Sequence, residues 1–96
     1  MRARLVPEAQ AEFLEAIRYL EDQQVGLGRD FATDFGATVR HIVQHPLACP
    51  EHVDGTRRCR LKRFRYGIVY RVRTSEIRLL AVMHLHRRPG YWRGRG

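Results

Sequence analysis

Lysine is almost missing from this chain: Lys62 is the only one, although Lys and Arg together number 18. A basic protein built on arginine carries planar guanidinium groups that pair bidentately with phosphate or carboxylate, where lysine offers a point charge. Cysteine is scarce too. Cys49 and Cys59 are the only two, without CxxC spacing. That excludes a disulfide framework and leaves two reduced thiols and no metal site as the expectation. No apolar run approaches the roughly 20 residues of a membrane-spanning helix, and the opening MRARLVPEAQ lacks the apolar core of a secretory signal. A cytoplasmic protein is expected. Acid is scarce where base is dense: from Arg57 to Arg95 the only carboxylate is Glu76, whereas Glu8, Glu12, Glu15, Glu21 and Asp22 crowd the first residues.

What is present fits one small globular domain, residues 1–96, with residues 93–96 expected to fray. The formal charge of +8 is concentrated in the C-terminal half. Such asymmetry points to an anionic partner: nucleic acid, a ribonucleoprotein surface or an acidic protein. The plainer reading is that the charge only maintains solubility.

Hydrophobic spacing gives the elements. Residues 2–6, RARLV, read as a short strand, and Pro7 with Glu8 makes a good helix start. Ala9, Phe13, Ala16, Ile17 and Leu20 then recur on one helical face. Gly26 and Gly28 interrupt the pattern. A second helix carries Leu27, Phe31, Phe35, Thr38, Val39, Ile42 and Val43 on one face and stops at Pro46. Two amphipathic helices joined by a short glycine link predict an antiparallel hairpin. PLACPEHVDGT, residues 46–56, reads as a loop.

Three strands follow. Arg57–Lys62 alternates, with Cys59 and Leu61 on one face and Arg58, Arg60 and Lys62 on the other. Tyr66–Arg73 is rich in strand formers, Thr74-Ser75 looks like a turn, and Ile77–His86 reads as a central strand buried on both faces. RRPGYWRGRG holds at most one helical turn around Tyr91 and Trp92. The expected fold is α+β: a short N-terminal strand, a helical hairpin and a three-stranded antiparallel meander. The hairpin covers one sheet face, and the other face must be covered by something else or be functional.

Three fragments in this order carry a resemblance to a known family. EFLEAIRYLEDQQVGLGRDFATDF, RRCRLKRFRYGIVYRV and LLAVMHLHRRPGYWRGR resemble the helical hairpin, the basic strand leading into an aromatic "-VY-V" strand, and the last strand of the RelE/ParE toxins. These are the toxins of type II toxin–antitoxin systems, and the hairpin is closer to the ParE-like branch. The resemblance covers almost the whole chain. It implies a growth-inhibiting toxin silenced by a cognate antitoxin whose flexible, acidic segment wraps it. It also implies one of two targets: DNA gyrase in the ParE-like branch, or the ribosome and its messenger RNA, cleaved by the endoribonucleases of the RelE-like branch.

Under either target, Arg58, Arg60 and Lys62 form a comb of positive charge that can meet successive phosphates or stabilise charge developing on phosphorus. The plainer reading is a solvated strand face. Arg87 and Arg88, followed by Tyr91 and Trp92, suit binding to an anionic target with stacking on bases. Against this, Trp92 has the area to cap the open end of the core. His84 and His86 share a strand face. His84 reads as structural, while His86 matches a position where the ribonuclease branch often places a catalytic Arg, so a ribonuclease would use Arg58, Arg60 and His86. Two His without a neighbouring carboxylate or Cys are a thin metal site. No cofactor is expected. Two departures favour the ParE-like branch. Gly67 stands where ribonuclease members commonly carry an Arg, and Trp92, with no ionisable proton, stands where they present a Tyr. A non-enzymatic gyrase inhibitor therefore leads, a ribosome-dependent messenger RNA endoribonuclease is the alternative, and a member that has lost its toxicity is the third reading.

Overall fold

The computed structural model describes residues 1–96. The chain runs β1 (Arg2–Leu5), α1 (Pro7–Gln23), α2 (Leu27–Gln44), β2 (Arg57–Arg60), β3 (Tyr66–Val72) and β4 (Glu76–His84). Pro7 occupies the first turn of α1, where its missing N–H costs nothing, and Glu8 faces the positive helix end. The link between the helices turns on Gly26, whose φ of 95° is left-handed. Glu21, at the end of α1, accepts hydrogen bonds from the N–H groups of Gly26 and Gly28, at 3.0 Å each at their shortest. One carboxylate thus closes α1 and opens α2.

Gly28 lies inside α2 rather than in the link, as the sequence pattern had suggested. Its role is close approach: a Cβ there would stand 2.9 Å from the main-chain oxygen of Ile17. The hairpin crosses at this point, and Phe13 of α1 meets Phe35 of α2 with ring centroids 4.3 Å apart. Phe31 extends the cluster to the sheet side, 5.0 Å from Tyr66 and 5.5 Å from Phe64.

The sheet has four strands in the order β1-β4-β3-β2. The β2-β3-β4 meander is antiparallel as expected, and β1 adds to it in parallel beside β4. This places β4 between two strands over Glu76–Leu79, and Ile77 and Leu79–Met83 are all buried. A bulge between Val69 and Tyr70 leaves Leu80 outside the β3–β4 register. The helices cover the face that carries Tyr66. Val69, Ala81 and Met83, on the opposite face before the bulge, are at most 1% exposed. That leaves loop 46–56 and the C-terminal tail to cover them.

The tail does so through Trp92, 1% exposed. Its ring stacks on His52 of the loop at 5.3 Å, and Arg93 pairs with Asp54 beside it. The last residues bond back onto the helix and sheet. Arg95 donates to the Glu12 carboxylate at 3.0 Å and to the Leu80 carbonyl at 3.2 Å, while the Gly96 carbonyl accepts from Arg73 at 2.7 Å. No helix is long and apolar enough to cross a membrane.

Candidate functional site

β2 sets the site. Cys59 pairs with Ile68 on the helix-covered face, while Arg58 and Arg60, opposite Val69 and Gly67, emerge from the other. The expected comb therefore has two teeth rather than three. The strand ends at Arg60 because Asp34, a buried carboxylate of α2, captures the next turn. Its two oxygens accept from the N–H groups of Lys62 at 3.2 Å and Arg63 at 2.8 Å. Lys62 is thereby drawn toward α2, where its side chain lines a hollow with Asp34, Thr38 and His41. Sequence alternation continued through Lys62; a long-range acceptor overrode it.

Gly67 connects β2 to the end of β4. A Cβ at Gly67 would meet Arg58 Cγ at 3.2 Å and Leu85 Cδ2 at 3.3 Å. The bare backbone thus lets the Arg58 stem and the residue just after β4 close over β3. The segment after that is not strand. β4 stops at His84, and His86, expected on the same strand face, sits in the following turn. The two imidazoles still meet, stacked at 5.2 Å, and the His86 N–H donates to His84 Nδ1 at 3.2 Å. That bond occupies Nδ1 of His84 as an acceptor. Both residues are exposed.

Arg87 and Arg88 are exposed. The Arg87 guanidinium lies 3.9 Å over the Tyr91 ring, and that of Arg95 lies 5.0 Å from it. Tyr91 is therefore engaged within the chain rather than offered for stacking on a target. Its hydroxyl is buried without a hydrogen bond of normal geometry. Burial and then the Glu12 charge push its ionisation well above the ordinary tyrosine range. Trp92, expected among the target-binding residues, is core, as its capping reading had it. Its area has more value over the sheet than at a surface.

Of the cations that the sequence pattern singled out here, Arg58 is half-exposed and Arg60, Arg87 and Arg88 are exposed. None of the four is within ion-pair distance of a carboxylate, whereas Arg4, Arg57, Arg63, Arg78, Arg93 and Arg95 are. The site is thus a cationic ledge on a rigid sheet, suited to phosphate or carboxylate. His52 flanks it. Burial first, and then the charge of Arg58, lower its pKa.

Beside the ledge lies a groove lined by Glu12, Glu15 and Tyr19 of α1 and by Val82, His84 and Arg87 of the β4 end. It exists because β1 pairs only as far as Leu79. Past that point β4 has no strand neighbour on this side, and the Val82 N–H is taken by Glu12 at 3.0 Å. Sequence reading missed this groove, since nothing local predicted that β1 would pair with β4.

Sequence reading also missed a cluster on the helix-covered side. The ligating atoms of His41, Cys49 and Cys59 lie within 4.8 Å of one another. Burial, reinforced by Cys49, pushes the Cys59 thiol up to about 12. No spacing motif signals the cluster, because helix, loop and strand each supply one member.

The comparisons with known proteins give the family. A family model described as the ParE toxin of the type II toxin–antitoxin system parDE matches residues 3–89, so the chain belongs to the ParE toxin family. A solved structure from P. aeruginosa, described as a chromosomal ParDE TA system, is similar in fold. Its TM-score is 0.78 at 19% identity, covering 88% of this chain and 95% of that one. No curated protein matches the sequence.

Proposed function

We propose that this toxin inhibits growth by binding and poisoning DNA gyrase, without catalysis of its own, and that a cognate acidic antitoxin neutralises it. The observation that carries this reading is the fate of the two positions where the ribonuclease branch keeps reactive groups. At Gly67 the space is filled by the Arg58 stem and Leu85. At the C-terminal aromatics, Trp92 is core and the Tyr91 hydroxyl is buried with a raised pKa. Beside these positions stands charge for binding: Arg58, Arg60, Arg87 and Arg88. Such a surface recognises an anionic patch and needs no proton transfer.

The antitoxin's seat follows from the same geometry. Exposed Leu14 and Tyr19 on α1 offer apolar contact, at 50% and 58% exposure. The groove between α1 and the end of β4 is the seat for a segment of the antitoxin, and its acids meet Arg87 and the ledge. Such a segment orders on binding.

The test is a supercoiling assay with purified toxin, gyrase and relaxed plasmid. Inhibition relieved by the antitoxin is expected; undiminished supercoiling at excess toxin would overturn the reading. The exposed, stacked His84–His86 pair favours one rival, a ribosome-dependent endoribonuclease using Arg58, Arg60 and His86. In that case His86→Ala abolishes toxicity and leaves antitoxin binding intact. On the gyrase reading His86→Ala stays toxic.

A further inference from the structure

We infer that His41, Cys49 and Cys59 form a site for a single zinc-type divalent cation, clipping the end of α2 and loop 46–56 to the strand that carries Arg58 and Arg60. The inference does not depend on which target the toxin binds.

The three residues come from separate elements. His41 lies in the last turn of α2, Cys49 follows the Pro46 turn, and Cys59 is the inward residue of β2. Their ligating atoms are all within 4.8 Å of one another. In a tetrahedral zinc site, the usual bond lengths separate two sulfurs by about 3.8 Å and sulfur from nitrogen by about 3.6 Å. Closing the cluster therefore needs a contraction of about 1 Å. His41 can supply it, since its side chain is exposed while both cysteines are buried. One imidazole nitrogen and two sulfurs are donors that select zinc over magnesium or calcium, which require oxygen.

Charge is consistent with occupancy. Arg60 and Lys62 line the adjoining hollow, and they would repel a bare cation. Two thiolates bring a divalent ion to neutrality, with their two protons released to solvent on binding. The hollow opens beside His41 and Cys59, between Asp34, Thr38 and Arg60. Asp34 already accepts two main-chain hydrogen bonds, so water takes the fourth position.

The consequence lies one residue to either side of Cys59. Arg58 and Arg60 flank it in β2, and Arg60 also borders the hollow. An ion at Cys59 therefore fixes the strand that presents the ledge.

The test uses the full chain, reduced, stripped with chelator and titrated anaerobically with Co²⁺. A sulfur-to-cobalt charge-transfer band with tetrahedral visible bands, saturating at one ion per chain and bleached by Zn²⁺, is expected. His41→Ala alters an exposed side chain, so the variant folds. It should weaken Co²⁺ binding by more than the roughly 10- to 100-fold that losing a group merely supporting a ligand costs. Cys59→Ser, which leaves one thiolate, should weaken both Co²⁺ binding and the charge-transfer band. A folded wild-type chain that gives no such band at excess Co²⁺ would overturn the inference. So would binding unchanged in His41→Ala, or a Cys49–Cys59 disulfide forming in air while no metal binds under reduction.

Discussion

The carboxylates of this protein and the arginines of its ledge are put to opposite uses. Glu12, Glu21 and Asp34 each accept from main-chain N–H groups that no secondary structure would satisfy: Val82, then Gly26 and Gly28, then Lys62 and Arg63. Glu76 ties Arg4 on β1 to Arg78 on β4. These acids hold elements together and point inward or along the surface. Arg58, Arg60, Arg87 and Arg88 hold no acid at all. A net charge of +8 thus understates the asymmetry, because several of the acids that offset the bases are engaged in structure. Charges that build a fold and charges that wait for a partner are distinguished here by what they touch.

Substitutions can break that contrast, and the largest effect belongs to neither class of charge. Trp92→Ala removes a side chain 1% exposed and should cost about 3–5 kcal/mol. At roughly 4–8 °C per kcal/mol for a domain this size, thermal melting would show it without ambiguity. A near-wild-type Tm would return Trp92 to the target-binding surface. Asp34→Ala strands two main-chain donors and should cost about 2–3 kcal/mol, read by urea unfolding. Gly28→Ala drives a Cβ against the Ile17 carbonyl at 2.9 Å and should cost about 1–3 kcal/mol.

The ledge should behave oppositely. Alanine at Arg58, Arg60, Arg87 or Arg88 should change stability by no more than about 0.5 kcal/mol, while toxicity falls. A ledge arginine that destabilised like Asp34 would erase the distinction.

The smallest effect is in pH. Hydrogen bonds from Arg78 and then Arg4 lower the Glu76 pKa to about 2 from 4.5. The Gly26 and then the Gly28 N–H lower that of Glu21 as well. A carboxyl with a depressed folded pKa contributes stability above its unfolded pKa and loses it as pH falls through the folded value. Melting temperature should therefore hold from neutrality to about pH 4.5 and decline toward pH 2. Glu76→Gln should flatten part of that decline.

Much of the fold was legible because it is local. Helical spacing marked Phe31, Phe35, Thr38 and Ile42 as the buried face of α2, and all four are buried. The apolar run of β4 marked a central strand. What was illegible is long-range. Alternation alone would have run β2 through Lys62, and the Asp34 carboxylate 28 residues away ended it. The pattern ran β4 to His86, but pairing stopped opposite Tyr66, where β3 begins. Arg58 and Arg60 were singled out by spacing and by the family resemblance together, and neither has a carboxylate partner. The meeting of His41 with two cysteines left no trace in the sequence at all.

The most direct test of the account is a titration of gyrase supercoiling with two proteins: the wild-type toxin and the variant with alanine at Arg58, Arg60, Arg87 and Arg88. Circular dichroism and melting would first establish that both are folded. The account predicts that the wild type inhibits supercoiling and that the folded variant does not. Equal inhibition by the two would contradict the role given to the ledge.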